Sequence, residues 1–246
     1  MAGKGVLIVV PARGGSKGLP RKNARSLGGI PLLAWTSEAV RRSGLTDAVC
    51  VLSTDDPEIA EIGKSVGLDA PFVRPSELST DTATAEAVAL HALNWLADTR
   101  HLHASAVMWL QPTSPFRHPS CLREAVAMME DGACPGVLGV KAVHRTLRTL
   151  FYADSDLRLT PVDPAADLVA RRQDTRTLFT PNGALYLVPG ERLRNEQTFF
   201  PPGCRGIVMD QIASFDIDTA SDWAVAEGIA AAGLTWRGSI SGKPTL

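Results

Sequence analysis

Val6-Leu-Ile-Val-Val10 is an unbroken apolar run that leads directly into Pro11-Ala-Arg-Gly-Gly-Ser-Lys-Gly-Leu-Pro-Arg-Lys-Asn23. The run does not alternate as a half-exposed strand would, so it reads as a strand covered on both faces, the situation in a parallel sheet. Gly14, Gly15 and Gly18 follow it and allow a tight turn and a close approach of backbone to ligand. Arg13, Lys17, Arg21 and Lys22 lie among them. A cationic glycine turn at the carboxyl end of a buried strand suits a triphosphate, whose charge backbone N–H groups and side-chain cations offset together. The spacing is neither that of a Walker loop nor Gly-x-Gly-x-x-Gly. A solvated basic turn is the plain alternative; the density of cations among the glycines favours the anion site.

The same strand-then-helix order repeats downstream. Pro31 opens a helix with Leu32, Trp35, Ala39 and Val40 on its apolar face. Ala48–Leu52 reads as a second buried strand ending in Ser53-Thr-Asp-Asp56, with Asp56 as N-cap of the next helix at Pro57. Val88, Ala92 and Leu96 mark a third helix. Ser105–Leu110 is a further strand, ending in Gln111-Pro-Thr-Ser-Pro-Phe-Arg117, and Pro119 opens a helix with Leu122, Val126 and Met129. This order predicts an α/β fold, a doubly wound and mostly parallel sheet of Rossmann-like type. Ligands of such sheets bind where strands end, so the loops 13–23, 53–56, 111–117 and 216–219 are expected to share one edge. Alternation breaks down from about 144 to 205, where Ala184–Val188 is the clearest strand. That stretch reads as an insertion packed beside the sheet within a single domain of residues 1–246. Thr219-Ala-Ser-Asp222 is a capping-box start for a last helix, and the tail beyond Gly238 has turn composition.

Composition narrows the partners. With 246 residues, 45% hydrophobic, and a net charge of -1, nothing global points to nucleic acid or to an anionic membrane; any anion site has to be local. No apolar run spans a bilayer. Cys50, Cys121, Cys134 and Cys204 are scattered, as reduced thiols rather than disulfides or a zinc site would be. With no signal-peptide pattern ahead of the first strand, the expected compartment is the cytoplasm.

Phe215-Asp-Ile-Asp-Thr219 is the second informative site. In extended chain, residues i and i+2 face the same side, so Asp216 and Asp218 can converge on one cation. Two carboxylates completed by water and phosphate oxygens suit Mg²⁺. A capping Asp beside a solvated one is the plain alternative; the polyphosphate loop favours the metal.

Residues 11–23, Ser53-Thr-Asp55, Val73-Arg-Pro-Ser-Glu-Leu78, Gln111-Pro-Thr-Ser-Pro115, Pro181-Asn-Gly-Ala-Leu-Tyr186 and Asp216-Ile-Asp218 together resemble the acylneuraminate cytidylyltransferases. That family, which has a nucleotidyltransferase fold, transfers CMP from CTP to the anomeric hydroxyl of a keto-sugar acid and releases pyrophosphate. The resemblance implies that Ala12, Arg13, Gly14, Gly15, Lys22 and Asn23 form the phosphate loop, and that Arg74, Thr84 and Gln111 border the nucleotide. It gives Arg13, Lys22, Asp216 and Asp218 the catalytic roles, the two aspartates through magnesium. Gln111, Arg148, Arg172 and Tyr186 fall at the acceptor. Phe199-Phe200 matches an aromatic pair that reaches across a homodimer interface into the partner's active site to help bind the acceptor, which makes about 144–205 an inserted dimerisation and acceptor segment. The implied partners are CTP, an acidic sugar and a second copy of the chain, without nucleic acid or membrane.

Departures from the family pattern gather on the acceptor side. Thr180 stands where sialic-acid enzymes tend to have arginine, Arg148 where they carry a lysine, and Ala85 where a serine near the cytosine is common. Two alternatives stay open from the residues: transfer to a phosphonate or other small acid, and a non-catalytic nucleotide-binding homologue. No histidine is obviously placed as a general base.

Overall fold

The computed structural model describes residues 5–16, 18–130, 134–143, 147–163 and 177–237. Lys17, Arg172 and the tail beyond Gly238 lie outside them, as does the side chain of Arg148. The element order is β1 (Val6–Pro11), the short antiparallel pair β2 (Ser26–Leu27) and β3 (Ile30–Pro31), α1 (Leu32–Ser43), β4 (Val49–Ser53), α2 (Pro57–Ser65), α3 (Ala85–Arg100), β5 (Ala106–Trp109) and α4 (Pro119–Glu130). It continues with β6 (Val137–Val143), β7 (Phe151–Ala153), β8 (Leu159–Pro161), β9 (Leu178–Pro189), α5 (Gly190–Glu196), β10 (Arg205–Val208) and α6 (Ala220–Ala231).

The main sheet runs β10-β6-β9-β5-β1-β4, and β9 alone is antiparallel to its neighbours. Both faces of β1 are buried, as its unbroken apolar run requires. Ile8 and Val10 join Leu33, Ile59 and Leu122 from α1, α2 and α4; Leu7 and Val9 join Val88, Ala92, Leu96 and Leu193 from α3 and α5. Helix starts follow the local chemistry. Asp56 Oδ1 accepts from the N–H groups of Glu58 and Ile59, Thr84 accepts from Ala87, and Thr219 with Asp222 completes a capping box. All four cysteines are free.

One expectation needs correction. The stretch read as an insertion beside the sheet contributes β9, which lies between β5 and β6 in the middle of it. Only Ala184–Val188 carries an apolar run; Leu178–Pro181 earlier in the strand is half exposed and contains a proline. β9 is also irregular. Leu138 pairs with Tyr186 and Val140 with Pro181, so Asn182 to Leu185 bulge opposite the single Gly139. The other hairpin of the region, β7–β8, stands apart from the main sheet as its own two-stranded unit.

Candidate active site

The loops after β1, β4 and β5 meet at one edge of the sheet, as their parallel order demands. The loops after β1 and β5, with the Arg74–Thr84 segment, the start of α3 and Asp216–Thr219, enclose a cavity of about 610 Å³; the 53–56 loop after β4 lies behind it and does not line it. Its charged lining includes Arg13, Lys22, Arg74, Asp81, Asp216 and Asp218. Leu78, Ala85, Val88 and Trp109 form a less polar wall.

Asp216-Ile-Asp218 is not a strand of the sheet, but it is held extended from both sides. Ile217 N–H donates to the Thr113 carbonyl at 2.9 Å, and the Ile217 carbonyl accepts from Lys22 Nζ at 2.5 Å. Ile217 itself is fully buried beside Leu27, Phe116 and Ala226, which leaves the flanking carboxylates on the cavity side. Ser114 Oγ donates to Asp216 Oδ1 and Lys22 Nζ sits by Asp218 Oδ1, each at 3.4 Å. The glycine loop comes so close here that a Cβ on Gly18 would lie 2.3 Å from the Asp218 carbonyl oxygen; only glycine fits. Gly183, at the β9 bulge with φ +78°, plays the matching part opposite, since a Cβ there would lie 2.9 Å from Gln111 Oε1.

Among the described loop cations, Arg13 and Lys22 line the cavity. Arg13 donates to the Thr80 carbonyl and to Asp81 Oδ1, each at 2.7 Å, which ties the glycine loop to the segment ahead of α3. Lys22 is buried rather than a solvated loop residue. Arg21 turns away with φ 55° and pairs with Glu58 and Asp56 on α2. Asn23 is buried and clamps the loop by donating to the Arg13 carbonyl at 3.1 Å. Ala12 packs in the core with its N–H on the Ser53 carbonyl, and the Gly14 N–H is bound to Asp55 Oδ1; neither they nor Gly15 line the cavity. Arg74 reaches the cavity from below, donating through Nε to Ser53 Oγ at 3.0 Å and through a terminal nitrogen to the Ser53 carbonyl. Burial pushes its pKa down to about 10, still protonated at neutral pH.

Thr84 and Gln111 line the cavity, Thr84 with its oxygen already capping α3. Tyr186 stands half buried on β9, paired in register with Trp109. Its phenol is pushed above the ordinary value by burial and then by Asp216. Phe199 does not reach outward. It is fully buried on its own sheet, 5.8 Å from Trp109 and 5.9 Å from Tyr186 by ring centroids, because these two rings offer it an apolar slot. Phe200 alone is exposed, edge-on to Tyr186 at 5.0 Å.

Three contributors had no assigned role in the sequence reading: Asp81, Ser114 and Arg117. Arg117 donates to the Ala184 carbonyl at 2.7 Å, to Thr36 Oγ1 at 2.8 Å and to the Gln111 carbonyl. Its signal is a lone cation in the otherwise uncharged Gln111–Phe116 loop; that of Asp81 is a lone acid among the threonines of Ser79–Thr84.

The family profile described as Cytidylyltransferase matches residues 7–178. The chain belongs to the cytidylyltransferase family. It is thus a CTP-dependent nucleotidyltransferase. The chain is 31% identical over 223 residues to CMP-N,N'-diacetyllegionaminic acid synthase of Legionella pneumophila, covering 90% of this cytidylyltransferase and 94% of that protein. Pseudaminic acid cytidylyltransferase of Campylobacter jejuni is 30% identical with the same coverage. N-acylneuraminate cytidylyltransferase of Escherichia coli is 32% identical over 90% of this chain, which spans 51% of that longer protein. A solved CMP:2-keto-3-deoxy-manno-octonic acid synthetase in complex with CTP superposes with a TM-score of 0.66 at 17% identity, over 92% of this chain and 98% of that one, and so shares the fold. No helix among the described residues is long and apolar enough to cross a membrane.

Proposed function

We propose that this cytidylyltransferase joins CMP from CTP to the anomeric hydroxyl of a 2-keto-3-deoxy sugar acid of the sialic, legionaminic or pseudaminic type, releasing pyrophosphate. The observation that carries the reading is the convergence of Arg13, Lys22 and Arg74 with Asp216 and Asp218 on one cavity. Relatives named for three such acids, each matched over 90% of the chain, support the acceptor class.

In this reading Arg13 and Lys22 offset the charge of the triphosphate, while Asn23 and the glycine loop shape its cradle. Arg74 and Thr84 border the nucleoside and Gln111 the acceptor acid, with acceptor roles for Tyr186, which stands outside the cavity lining, and for Arg148 and Arg172 resting on the family resemblance. The acceptor oxygen attacks the α-phosphorus in line: a new P–O bond forms as the bond to pyrophosphate breaks. Lys22 and Arg13 stabilise charge that develops on the departing phosphates. The hydroxyl proton passes to water or a carboxylate, and positioning supplies much of the acceleration. The donor set fits magnesium, since Asp216 and Asp218 both line the cavity on either side of buried Ile217 and leave the remaining positions to water and phosphate oxygens. Asp216 and Asp218 would hold Mg²⁺, which when bound neutralises phosphate oxygens.

The same reading places the protein in the cytoplasm as a homodimer. Phe151, Tyr152, Leu157 and Leu159 are exposed on or beside the β7–β8 hairpin. An isolated two-stranded hairpin is marginal in water, and a second copy is the partner we assign to its apolar surface. The test of the activity is pyrophosphate release with each of CTP, ATP, GTP and UTP over a panel of sugar acids, a phosphonate and smaller acids. Turnover confined to CTP and a nine-carbon keto-sugar acid is expected. Equal rates with ATP or UTP, or with the phosphonate alone, would refute it.

A further inference from the structure

Arg117 heads the large side chains that are completely enclosed in this molecule. Withdrawing a guanidinium from water is costly, and its hydrogen bonds here go to neutral oxygens. Burial pushes its pKa down to about 9, and Asp216 is the foremost charge opposing that shift. A neutral side chain would fill the same space at lower cost, so the guanidinium's reach has to account for it. The planar fork meets three segments at once: the Thr36 hydroxyl on α1, the Ala184 carbonyl in the β9 bulge and the Gln111 carbonyl at the end of β5. One of these lines the cavity and a second backs it. Gln111 lines the cavity, and Gly183, next to Ala184, packs under the Gln111 side chain with Ser114 and Asp216 as its next neighbours. A lysine at this place has no planar fork with which to hold the three acceptors in one geometry.

We propose that Arg117 is a positioning residue for the acceptor side of the cavity, locking the Gln111 loop to the β9 bulge so that the Gln111 side chain faces the acceptor in one arrangement. It touches no substrate and acts through Gln111, whose carbonyl it holds. The proposal rests on the reading of the cavity as a site for CTP and an acid acceptor.

Arg117→Lys tests it, with kcat, both KM values, melting temperature and CTP calorimetry without acceptor. The expected result is a fall in kcat of roughly 10- to 100-fold, the scale of an ångström-level misplacement, with a raised acceptor KM. CTP binding should stay within about two-fold, because that contact is not made through Arg117. Combined with Gln111→Ala the losses should be non-additive, and combined with Arg13→Lys on the opposite wall they should add. A variant that melts earlier yet keeps kcat and acceptor KM, or that couples equally to Arg13 and Gln111, overturns the proposal. If Arg117→Lys does not fold, Thr36→Val removes one acceptor and has to show the same acceptor-side bias at smaller amplitude; unchanged acceptor kinetics there overturn it too. A parent protein that binds no CTP overturns the reading of the cavity, and this proposal with it.

Discussion

Removing the ammonium of Lys22 is the sharpest single perturbation of the proposed chemistry, because that group acts on the fold and on the cavity at the same time. Its Nζ donates to the Ile217 carbonyl at 2.5 Å and lies 3.4 Å from Asp218 Oδ1. The Asp218 side chain is 74% exposed, so water screens the ion pair and it contributes about 0–1 kcal/mol. The buried bond to the carbonyl, made by a charged donor, contributes about 1.5–3 kcal/mol. Lys22→Met keeps the stem packed and loses both, for a cost of about 1.5–4 kcal/mol. At about 2–4 °C per kcal/mol for a chain of this size, the melting temperature should fall by roughly 3–16 °C. The catalytic loss should be larger, about 10²–10³ in kcat, as for deleting one preorganised donor at developing charge. Pyrophosphate release at saturating CTP, followed beside a melting curve of the same sample, separates the two. A stable protein remains folded at 25 °C after a loss of this size, so unfolding does not account for the missing turnover. Lys22→Met enzyme that turns over within about three-fold of the parent would refute the assignment, as would activity that returns fully on cooling.

Other outcomes follow from the same geometry. Asp216→Asn and Asp218→Asn should each raise the magnesium concentration needed for half-maximal rate; titrations that overlay the parent's would make these aspartates structural. Phe199→Ala should destabilise the fold by about 3–5 kcal/mol in a urea melt, because the ring is fully buried. Phe200→Ala should melt near the parent and shift sedimentation toward monomer, and the reverse ranking of the two would count against the packing described. Burial holds His91 and His118 below the ordinary imidazole value of 6.5. The unfolded chain then takes up protons first as the pH falls, so their contribution to stability is full above about 6.5 and declines below it toward the folded values. Urea midpoints between pH 7.5 and 5.5 should drop less in His91→Gln than in the parent; equal drops would rule out His91 as a contributor.

What the sequence made legible was whatever a short stretch of chain decides by itself. The unbroken run of β1, the Asp56 cap and the Thr219–Asp222 box each rest on residues within a turn of one another, and each is present. The i, i+2 geometry of Asp216 and Asp218 was readable for the same reason, although the segment is held extended by Thr113 and Lys22 rather than by a sheet. The direction of a charged side chain is decided elsewhere. Arg21 is one of four cations of the glycine loop in the sequence and faces Glu58 in the fold; Arg117 finds Thr36 and Ala184 at 81 and 67 residues' distance. The central place of β9 is of this second kind, since its neighbours β5 and β6 both precede it and its first half is half exposed. Phe199-Phe200 falls between the two kinds. The loop after α5 bends at Phe199, and the slot beside Trp109 and Tyr186 takes that ring while Phe200 stays outside, edge-on to Tyr186. Which of the two rings is taken is decided by Trp109 and Tyr186, far away in the chain, and the buried Phe199 beside the exposed Phe200 argues against both rings crossing to a partner together.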